Sequence, residues 1–366
     1  MMALTRALLA ELPALAHRAN IAEDLRCYRE PDGVAELLTA FVAHLGHCFD
    51  RRVSPDEVMV TPGAQAALRY IQWDARCQDR GVFLPAGVEF PGAWDDTDPG
   101  RTRVGALPAV VEGEWARPSL RAIATDWDGI AAAVLSRPHN PTGQVWPAAD
   151  VLQLAAYAHD RNATLVLDEA YGFPLASMAR TGLSDFVDAP NILHVYSFSK
   201  LGLAGERVGV VVGPPETVLR LKQFQRRFII QTPKLGQYLA VGLLRVLEER
   251  PLLGSELSDL LRERAEFLDL AWHTAGLTGS KFCLTPWEGG PFRWVQWTGP
   301  PSDHEVVDSL LDRGVAVAGA IHFRPRLEGH MTAAWSGLRL ALTRTLTELS
   351  RGVQLVVETL ASQLNH

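Results

Sequence analysis

The sequence predicts an α/β fold, in which a largely parallel sheet sandwiched by helices is followed by a smaller α+β domain. Between residues 58 and 213, short apolar runs alternate with helical patterns, which is typical of a parallel sheet with helical crossovers. The runs are continuous in Val, Ile and Leu, which indicates strands buried on both faces. After about residue 250 the pattern changes to one long amphipathic helix followed by separate strands.

Six runs are predicted as strands of the first unit: 58–62, 81–85, 131–138, 163–171, 191–199 and 207–213. Pro62-Gly63 ends the first run and opens a helical pattern, because proline and glycine interrupt strands. Another helix is predicted over 147–161, between the third and fourth strands.

The second unit begins with a long amphipathic helix over 252–276, which Gly276 ends. Strands are then predicted over 290–297, 314–321 and 337–343, with a helix at the C-terminus. We expect three parts: an N-terminal segment (1–35) that packs with the small domain, a large domain (36–250) and a small domain (251–366).

The composition narrows the class of protein. The chain has 366 residues, 47% of them hydrophobic and 21% charged, with a formal net charge of −7. Nucleic acid is not an expected partner, since its binding depends on clustered Lys and Arg. No segment reaches the roughly 20 apolar residues that span a bilayer, and no signal-peptide pattern is present. Four scattered cysteines argue against a zinc site or a disulfide framework and favour a cytoplasmic location: Cys27, Cys48, Cys77 and Cys283.

Polar residues follow several predicted strands at the point where each strand ends. They are Thr61 to Gln65, His139 to Gly143, Asp168 with Tyr171, Ser197 with Ser199 and Lys200, and then Arg207. Each has a structural interpretation, because Pro-Gly and NPTG are common turns and single charged residues are usually solvated or cap helices. Their joint position favours one site, since ligands bind at the carboxyl ends of parallel strands.

Pyridoxal phosphate chemistry needs this set of groups. A lysine bonds to the cofactor aldehyde and later moves the substrate Cα proton. A carboxylate pairs with the pyridine nitrogen, and an amide and a phenol donate to the phenolic oxygen. A helix N-terminus, hydroxyls and a guanidinium suit the phosphate, and a second arginine suits the substrate carboxylate.

The sequence resembles the fold-type-I pyridoxal-phosphate enzymes of aminotransferase class I/II. The motifs that carry the resemblance are SRPHNPTG (136–143), VLDEAYG (166–172) and SFSKLGLAGERVG (197–209). Within that family the third motif is most similar to those of valine–pyruvate aminotransferases. The resemblance implies a mostly parallel seven-stranded sheet, pyridoxal 5'-phosphate as cofactor and a homodimer with shared active sites.

The resemblance also implies roles for individual residues. Lys200 would form the Schiff base, and Asp168 would pair with the pyridinium nitrogen. Asn140 and Tyr171 would donate to the phenolic oxygen, with Asn140 also near the substrate. The phosphate would be held by Gly63, Ala64, Ser197, Ser199 and Arg207.

Three further residues, which lie outside the three motifs, match positions with known roles in the family. Phe90 matches the stacking aromatic, although it could be a core residue. Arg339 matches the arginine for the substrate α-carboxylate, and an arginine inside an apolar strand is costly without a partner. Tyr28 matches a tyrosine that reaches the phosphate of the other subunit, although it could be an ordinary surface aromatic.

One departure from the family bears on the reaction. Family members usually carry a glycine-rich segment upstream of the Tyr28 position, and no such segment is found here. Either this arm is truncated, or the site closes over the substrate in a different way from other members.

Three functions are compatible with this sequence. The first is a ping-pong aminotransferase acting on small or aliphatic neutral amino acids, with a 2-oxo acid such as pyruvate. The second is another pyridoxal-phosphate reaction, namely a lyase, cyclase or replacement enzyme of a specialised pathway. The third is a non-catalytic binding protein, against which the presence of Lys200, Asp168 and Arg339 together argues. A nicotinamide enzyme is disfavoured because no GxGxxG follows a strand.

Overall fold

The computed structural model describes residues 10, 21–28, 31–49, 51–94, 101–105, 109–111, 114–116, 127–172, 189–250, 253–325 and 335–365. The strands are β1 Val58–Thr61, β2 Gly81–Leu84, β3 Thr102–Val104, β4 Ala109–Val111, β5 Glu114–Ala116, β6 Ile130–Ser136, β7 Thr164–Asp168, β8 Ile192–Ser197, β9 Gly209–Val212, β10 Cys283–Leu284, β11 Phe292–Thr298, β12 Ala318–Gly319 and β13 Trp335–Ala341. The helices are α1 Ile21–Asp24, α2 Ala35–Phe49, α3 Ala64–Cys77, α4 Ala148–His159, α5 Pro215–Ile229, α6 Lys234–Glu249, α7 Leu253–Thr274, α8 Asp303–Asp312 and α9 Leu346–Ser362.

The large sheet has seven strands in the order β1-β9-β8-β7-β6-β2-β3. Strands β3, β2, β6, β7 and β8 pair in parallel, which confirms the predicted largely parallel sheet. Strand β9 runs antiparallel to both of its neighbours. The reason is the short connection from β8 to β9, because a parallel return needs a crossover of about a dozen residues or more, usually with a helix.

Apolar side chains cover both faces of this sheet. Every residue of β6, β8 and β9 is buried. In β9, Val211 packs in the same cluster as Leu68 of α3, whereas Val210 packs in the same cluster as Phe41 of α2. Burial on both faces explains why these strands are continuous apolar runs in the sequence.

The second sheet has four antiparallel strands in the order β10-β11-β13-β12. The predicted strand at 314–321 is shorter than expected, since only Ala318–Gly319 pairs before a 3₁₀ turn over Ala320–Phe323. Side chains of the two sheets share one apolar cluster, which includes Val210 of the large sheet and Leu338 of the small sheet. In the part of the chain that is described, no helix is both long and apolar enough to cross a membrane.

The NPTG turn connects the two sheets. Thr285 Oγ1 donates to the carbonyl of Thr142 over 3.3 Å, and Gln144 Nε2 donates to Pro286 O over 2.8 Å. Gly143 has φ +73°, and a Cβ there would overlap the carbonyl oxygen of Phe292. Glycine is therefore required at this position both for its backbone conformation and for the close approach to β11.

Gly143→Ala should destabilise the chain more than Gly129→Ala. Gly129 has a similar φ of +71°, but a Cβ at Gly129 would have no atom within 4 Å. Gly129→Ala therefore measures only the cost of the left-handed backbone, about 1 kcal/mol. The overlap with Phe292 should lower the free energy of unfolding by a further ~1–3 kcal/mol. Urea denaturation of both variants measures the difference, and equal losses would contradict the close contact between the sheets.

Candidate active site

The loop between β1 and α3 forms a cradle against Arg207. Gly63 precedes the first residue of α3, Ala64, and has φ +81°. A Cβ on Gly63 would lie 2.5 Å from Arg207 Nη2, and a Cβ on Gly209 would lie 2.8 Å from the amide nitrogen of Ala64. The first N–H groups of a helix have no partner within the helix, so this cradle brings the N–H groups at the start of α3 and a guanidinium together, whereas the Gly63 N–H itself donates to Thr61 O over 2.7 Å.

The Ser199 hydroxyl contacts the same guanidinium, and the Ser197 hydroxyl contacts the backbone of Ser199. Ser197 is buried at the end of β8, and its Oγ accepts a hydrogen bond from the Ser199 N–H over 3.2 Å. Arg207 Nη1 donates to Ser199 Oγ over 3.3 Å and to Ala204 O over 3.2 Å. Arg207 adopts φ +53°, a left-handed conformation that costs a non-glycine residue roughly 1–2 kcal/mol. Hydroxyls, a guanidinium and helix N–H groups are the donors that bind phosphate.

Asp168 is a buried carboxylate at the end of β7. Its Oδ1 accepts a hydrogen bond from the Ala170 N–H over 3.1 Å, and within the described ranges no lysine, arginine or histidine forms an ion pair with it. Burial, followed by the negative charge of Glu89, raises the pKa of Asp168 from 3.8 to about 7. A buried carboxylate is costly without a cation, so this position favours a ligand with a positively charged group.

Lys200 lies in the short 3₁₀ turn Ser199–Leu201 that follows β8. Its Nζ is 5.1 Å from the centroid of the Tyr171 ring. The side chain reaches solvent, but its partial burial and then the positive charge of Arg339 lower the pKa of its amine. A lowered pKa makes the neutral amine more accessible, which a nucleophile or a base requires.

Tyr171 and Phe292 line the space near Lys200. The Tyr171 ring packs edge-on against Phe292, with centroids 4.8 Å apart. Burial, as the largest cause, raises the pKa of Tyr171 to about 12. Its hydroxyl therefore stays protonated at neutral pH and can donate a hydrogen bond.

Arg339 joins the small sheet to the NPTG turn. Its Nη1 donates to Asn140 Oδ1 over 2.7 Å. Its guanidinium carbon lies 4.4 Å from the centroid of the Phe292 ring and 4.9 Å from that of Phe323. The amide NH₂ of Asn140 points away from this bond, since its oxygen is the atom engaged, and remains a donor for another group.

The two remaining predicted aromatic residues, Phe90 and Tyr28, differ in their exposure to solvent. Phe90 is half-buried and packs at the edge of the same apolar cluster as Tyr171. Tyr28 is 80% exposed, and among the described residues no hydrogen bond or ring contact joins it to the other predicted site residues. The segment that carries Tyr28 is held by Lys234 Nζ, which donates to Cys27 O over 2.6 Å and to Asp24 O over 2.7 Å.

The structure adds three residues that the sequence analysis missed. Glu89 is a fully buried carboxylate beside Phe90, and Phe292 and Phe323 cover the Arg339 guanidinium. The sequence contains one signal for Glu89, which is an acid within the apolar run AGVEF. No sequence pattern marks the two phenylalanines, because aromatic residues are common in any core.

The chain is similar in sequence to several aminotransferases. Valine–pyruvate aminotransferase of Escherichia coli is 23% identical over 349 residues, covering 92% of this chain and 83% of that protein. Histidinol-phosphate aminotransferase 1 of Burkholderia lata is 32% identical over 197 residues, which is 54% of this chain and 50% of that protein.

A solved structure has the same fold. Valine–pyruvate aminotransferase from Salmonella typhimurium superposes with a TM-score of 0.82 at 21% identity, covering 99% of this chain and 93% of that one. The family model "Aminotransferase class I and II" matches residues 122–344, which is more than half of the chain. The chain therefore belongs to the aminotransferase class I and II family and is a pyridoxal-phosphate-dependent transaminase.

Proposed function

We propose that this enzyme moves an amino group between a small or aliphatic neutral L-amino acid and a 2-oxo acid such as pyruvate. The observation that carries this proposal is the Arg339–Asn140 pair, which presents a guanidinium between two aromatic rings and whose positive charge lowers the pKa of the nearby Lys200 amine. A carboxylate can bind the remaining donors of such a guanidinium bidentately. The similarity to valine–pyruvate aminotransferase over 92% of the chain supports the choice of substrate class.

The chemistry of the donor set fits pyridoxal phosphate. The cradle formed by Gly63 and Arg207 suits the phosphate, and the buried carboxylate of Asp168 suits a protonated pyridine nitrogen. When bound, the cofactor supplies an aldehyde for the amino group and a ring that withdraws electrons from the substrate Cα. We assign the phosphate to Gly63, Ala64, Ser197, Ser199 and Arg207, and the pyridinium nitrogen to Asp168.

The remaining residues would act on the reacting atoms. Lys200 would hold the cofactor at its aldehyde through Nζ and, as a free amine, would take and return the proton that is moved from the substrate Cα. Asn140 and Tyr171 would donate to the phenolic oxygen, and Phe90 would stack on the ring. Arg339 would orient the α-carboxylate, so that one amino acid and one 2-oxo acid use the same site in turn.

We propose that the enzyme acts as a homodimer. Apolar side chains are exposed near the segment that carries Tyr28: Leu25 at 49%, Ile230 at 56% and Leu235 at 50%. Exposed apolar groups of this kind favour contact with another protein surface. Tyr28 would then reach the phosphate of the second subunit.

We also propose the division into a segment (1–35), a large domain (36–250) and a small domain (251–366). The start of α7 at Leu253 and the separate four-stranded sheet beyond it support the boundary near residue 250. Ile21 packs against the apolar cluster that spans both sheets, and Asp24 accepts hydrogen bonds from Lys234 and Tyr238 of α6 in the large domain.

Lys200→Ala should abolish amino transfer. The wild-type enzyme, given an L-amino acid but no 2-oxo acid acceptor, should form about one equivalent of the corresponding 2-oxo acid per site without releasing ammonia. The variant should lose this reaction by at least about 10²-fold, because the amine that moves the proton is gone. Lys281→Ala is the control, since Lys281 Nζ instead donates to Pro300 O. Release of ammonia by the wild type would favour a lyase.

Arg339→Lys should raise the KM for the amino acid by about 10- to 100-fold, with a smaller change in kcat. A lysine cannot reproduce a bidentate contact, and a hydrogen bond to a charged group contributes about 1.5–3 kcal/mol. Arg324→Lys is a matched control, since Arg324 also stacks on an aromatic ring, 4.5 Å from the centroid of Trp335. Steady-state kinetics with a panel of neutral amino acids compares the two, and an equal effect of both variants would argue against the assigned role.

Asp168→Asn should stabilise the cofactor-free protein at alkaline pH. The folded-state pKa of Asp168 is raised to about 7, against ~3.9 in an unfolded chain. Its contribution to stability is therefore fully present below about pH 4 and is lost as the pH rises through 7. Asparagine does not ionise, so the variant should exceed the wild type by up to roughly 4 kcal/mol above pH 8. Urea denaturation at pH 5 and pH 8.5 tests this, and the same difference at both pH values would contradict the buried carboxylate.

A further inference from the structure

Glu89 is a buried carboxylate that is hydrogen-bonded on both of its oxygens. It is 1% exposed and lies beyond the end of β2. Its Oε1 accepts from the Phe90 N–H over 2.9 Å and from the Ser136 hydroxyl. Its Oε2 accepts from the Ser136 N–H over 2.9 Å, and His139 Nε2 lies 3.5 Å away. Two backbone N–H groups and one hydroxyl therefore converge on this side chain.

Two of these hydrogen bonds lead directly to residues assigned to the cofactor. Ser136 Oγ, which donates to Glu89, also accepts from the Asn140 N–H over 2.9 Å. Asn140 Oδ1 in turn accepts from Arg339. On the other side, the bond to the Phe90 N–H fixes the backbone from which the Phe90 ring extends.

The backbone of Glu89 makes a third connection to the site. Its N–H donates to the carbonyl of Phe323 over 3.0 Å, and the Phe323 ring covers Arg339. The charge of Glu89 is also close enough to Asp168 to be the largest cause, after burial, of the raised pKa of Asp168. A buried charge of this kind is expensive to keep, and its contacts all lead to the same site.

We propose that Glu89 is a positioning residue, which holds Phe90 and Asn140 in the arrangement that binds pyridoxal phosphate. This inference rests on the proposed function, in which those two residues contact the cofactor. Glu89 acts through its neighbours and takes no proton in the reaction.

Glutamine cannot replace Glu89 without loss, although it has the same shape. Each carboxylate oxygen accepts from a different backbone N–H, that of Phe90 on Oε1 and that of Ser136 on Oε2. An amide has one oxygen, so either orientation of a glutamine side chain at this position leaves one buried N–H facing an NH₂ group. An unsatisfied buried donor is costly, and the backbone of Phe90 or of Ser136 would shift to relieve it.

The test is Glu89→Gln in the full-length chain, with Glu169→Gln as the matched control. Glu169 is also buried and hydrogen-bonded, to His194 Nδ1 over 2.7 Å, and it also neighbours Asp168. Its side chain is not bonded to Phe90, Ser136 or Asn140. Pyridoxal phosphate is titrated into cofactor-free protein, and the dissociation constant, the induced circular dichroism of the bound cofactor and the thermal midpoint are measured.

We expect Glu89→Gln to raise the dissociation constant by about tenfold, which corresponds to about 1.4 kcal/mol, and to change the induced circular dichroism. Glu169→Gln should keep the dissociation constant within about twofold of the wild type. If Glu89→Gln binds the cofactor as the wild type does, or if both variants weaken it equally, the proposal is wrong.

A second variant covers the case in which Glu89→Gln does not fold. Ser136→Ala removes the hydroxyl between Glu89 and Asn140. This variant should weaken cofactor binding by a few fold, with the same change in circular dichroism, and unchanged binding would overturn the proposal.

Failure of the proposal for Glu89 can be distinguished from failure of the proposed function. A wild-type protein that binds pyridoxal phosphate but transfers no amino group contradicts the proposed function, whereas the binding comparison still decides the role of Glu89.

Discussion

The buried carboxylate of Asp168 is the constraint on which the rest of the site depends. It lies at the end of a strand with buried neighbours, has one backbone hydrogen bond and is close to a second buried carboxylate, Glu89. In a globular core such an arrangement destabilises the folded chain. A cationic ring bound beside Asp168 would offset the cost of burying the carboxylate. The cofactor-free protein is therefore less stable at this position, and the ring binds more tightly.

Other polar residues of the site also have an unfavourable backbone conformation or a shifted pKa. Arg207 has a left-handed backbone, and burial and neighbouring charges shift the pKa values of Lys200 and Tyr171. Strain and perturbed pKa values persist only where the surrounding structure is rigid. Here the rigidity comes from strands β6 to β9, whose buried residues fix the ends from which these side chains extend.

The site is completed by the second sheet. Arg339 on β13 reaches Asn140, which is 199 residues away in the chain, and Gly143 allows the turn to approach β11 closely. A substrate carboxylate bound at Arg339 would therefore be placed by the same contact that joins the two sheets. Movement of the small sheet would change the binding of substrate and the orientation of Asn140 together.

The sequence alone determined the parallel sheet and the residues at the ends of its strands, because both follow from local patterns. Continuous apolar runs mark buried strands, and the polar residues that end them, such as Asp168 and Lys200, must meet at one edge of the sheet. Only the tertiary structure decided that β9 runs antiparallel, that Glu89 is bonded to Ser136 and that Phe292 and Phe323 enclose Arg339. These features join segments that are far apart in the chain. A local sequence pattern does not predict which distant residue a buried carboxylate or aromatic ring will contact.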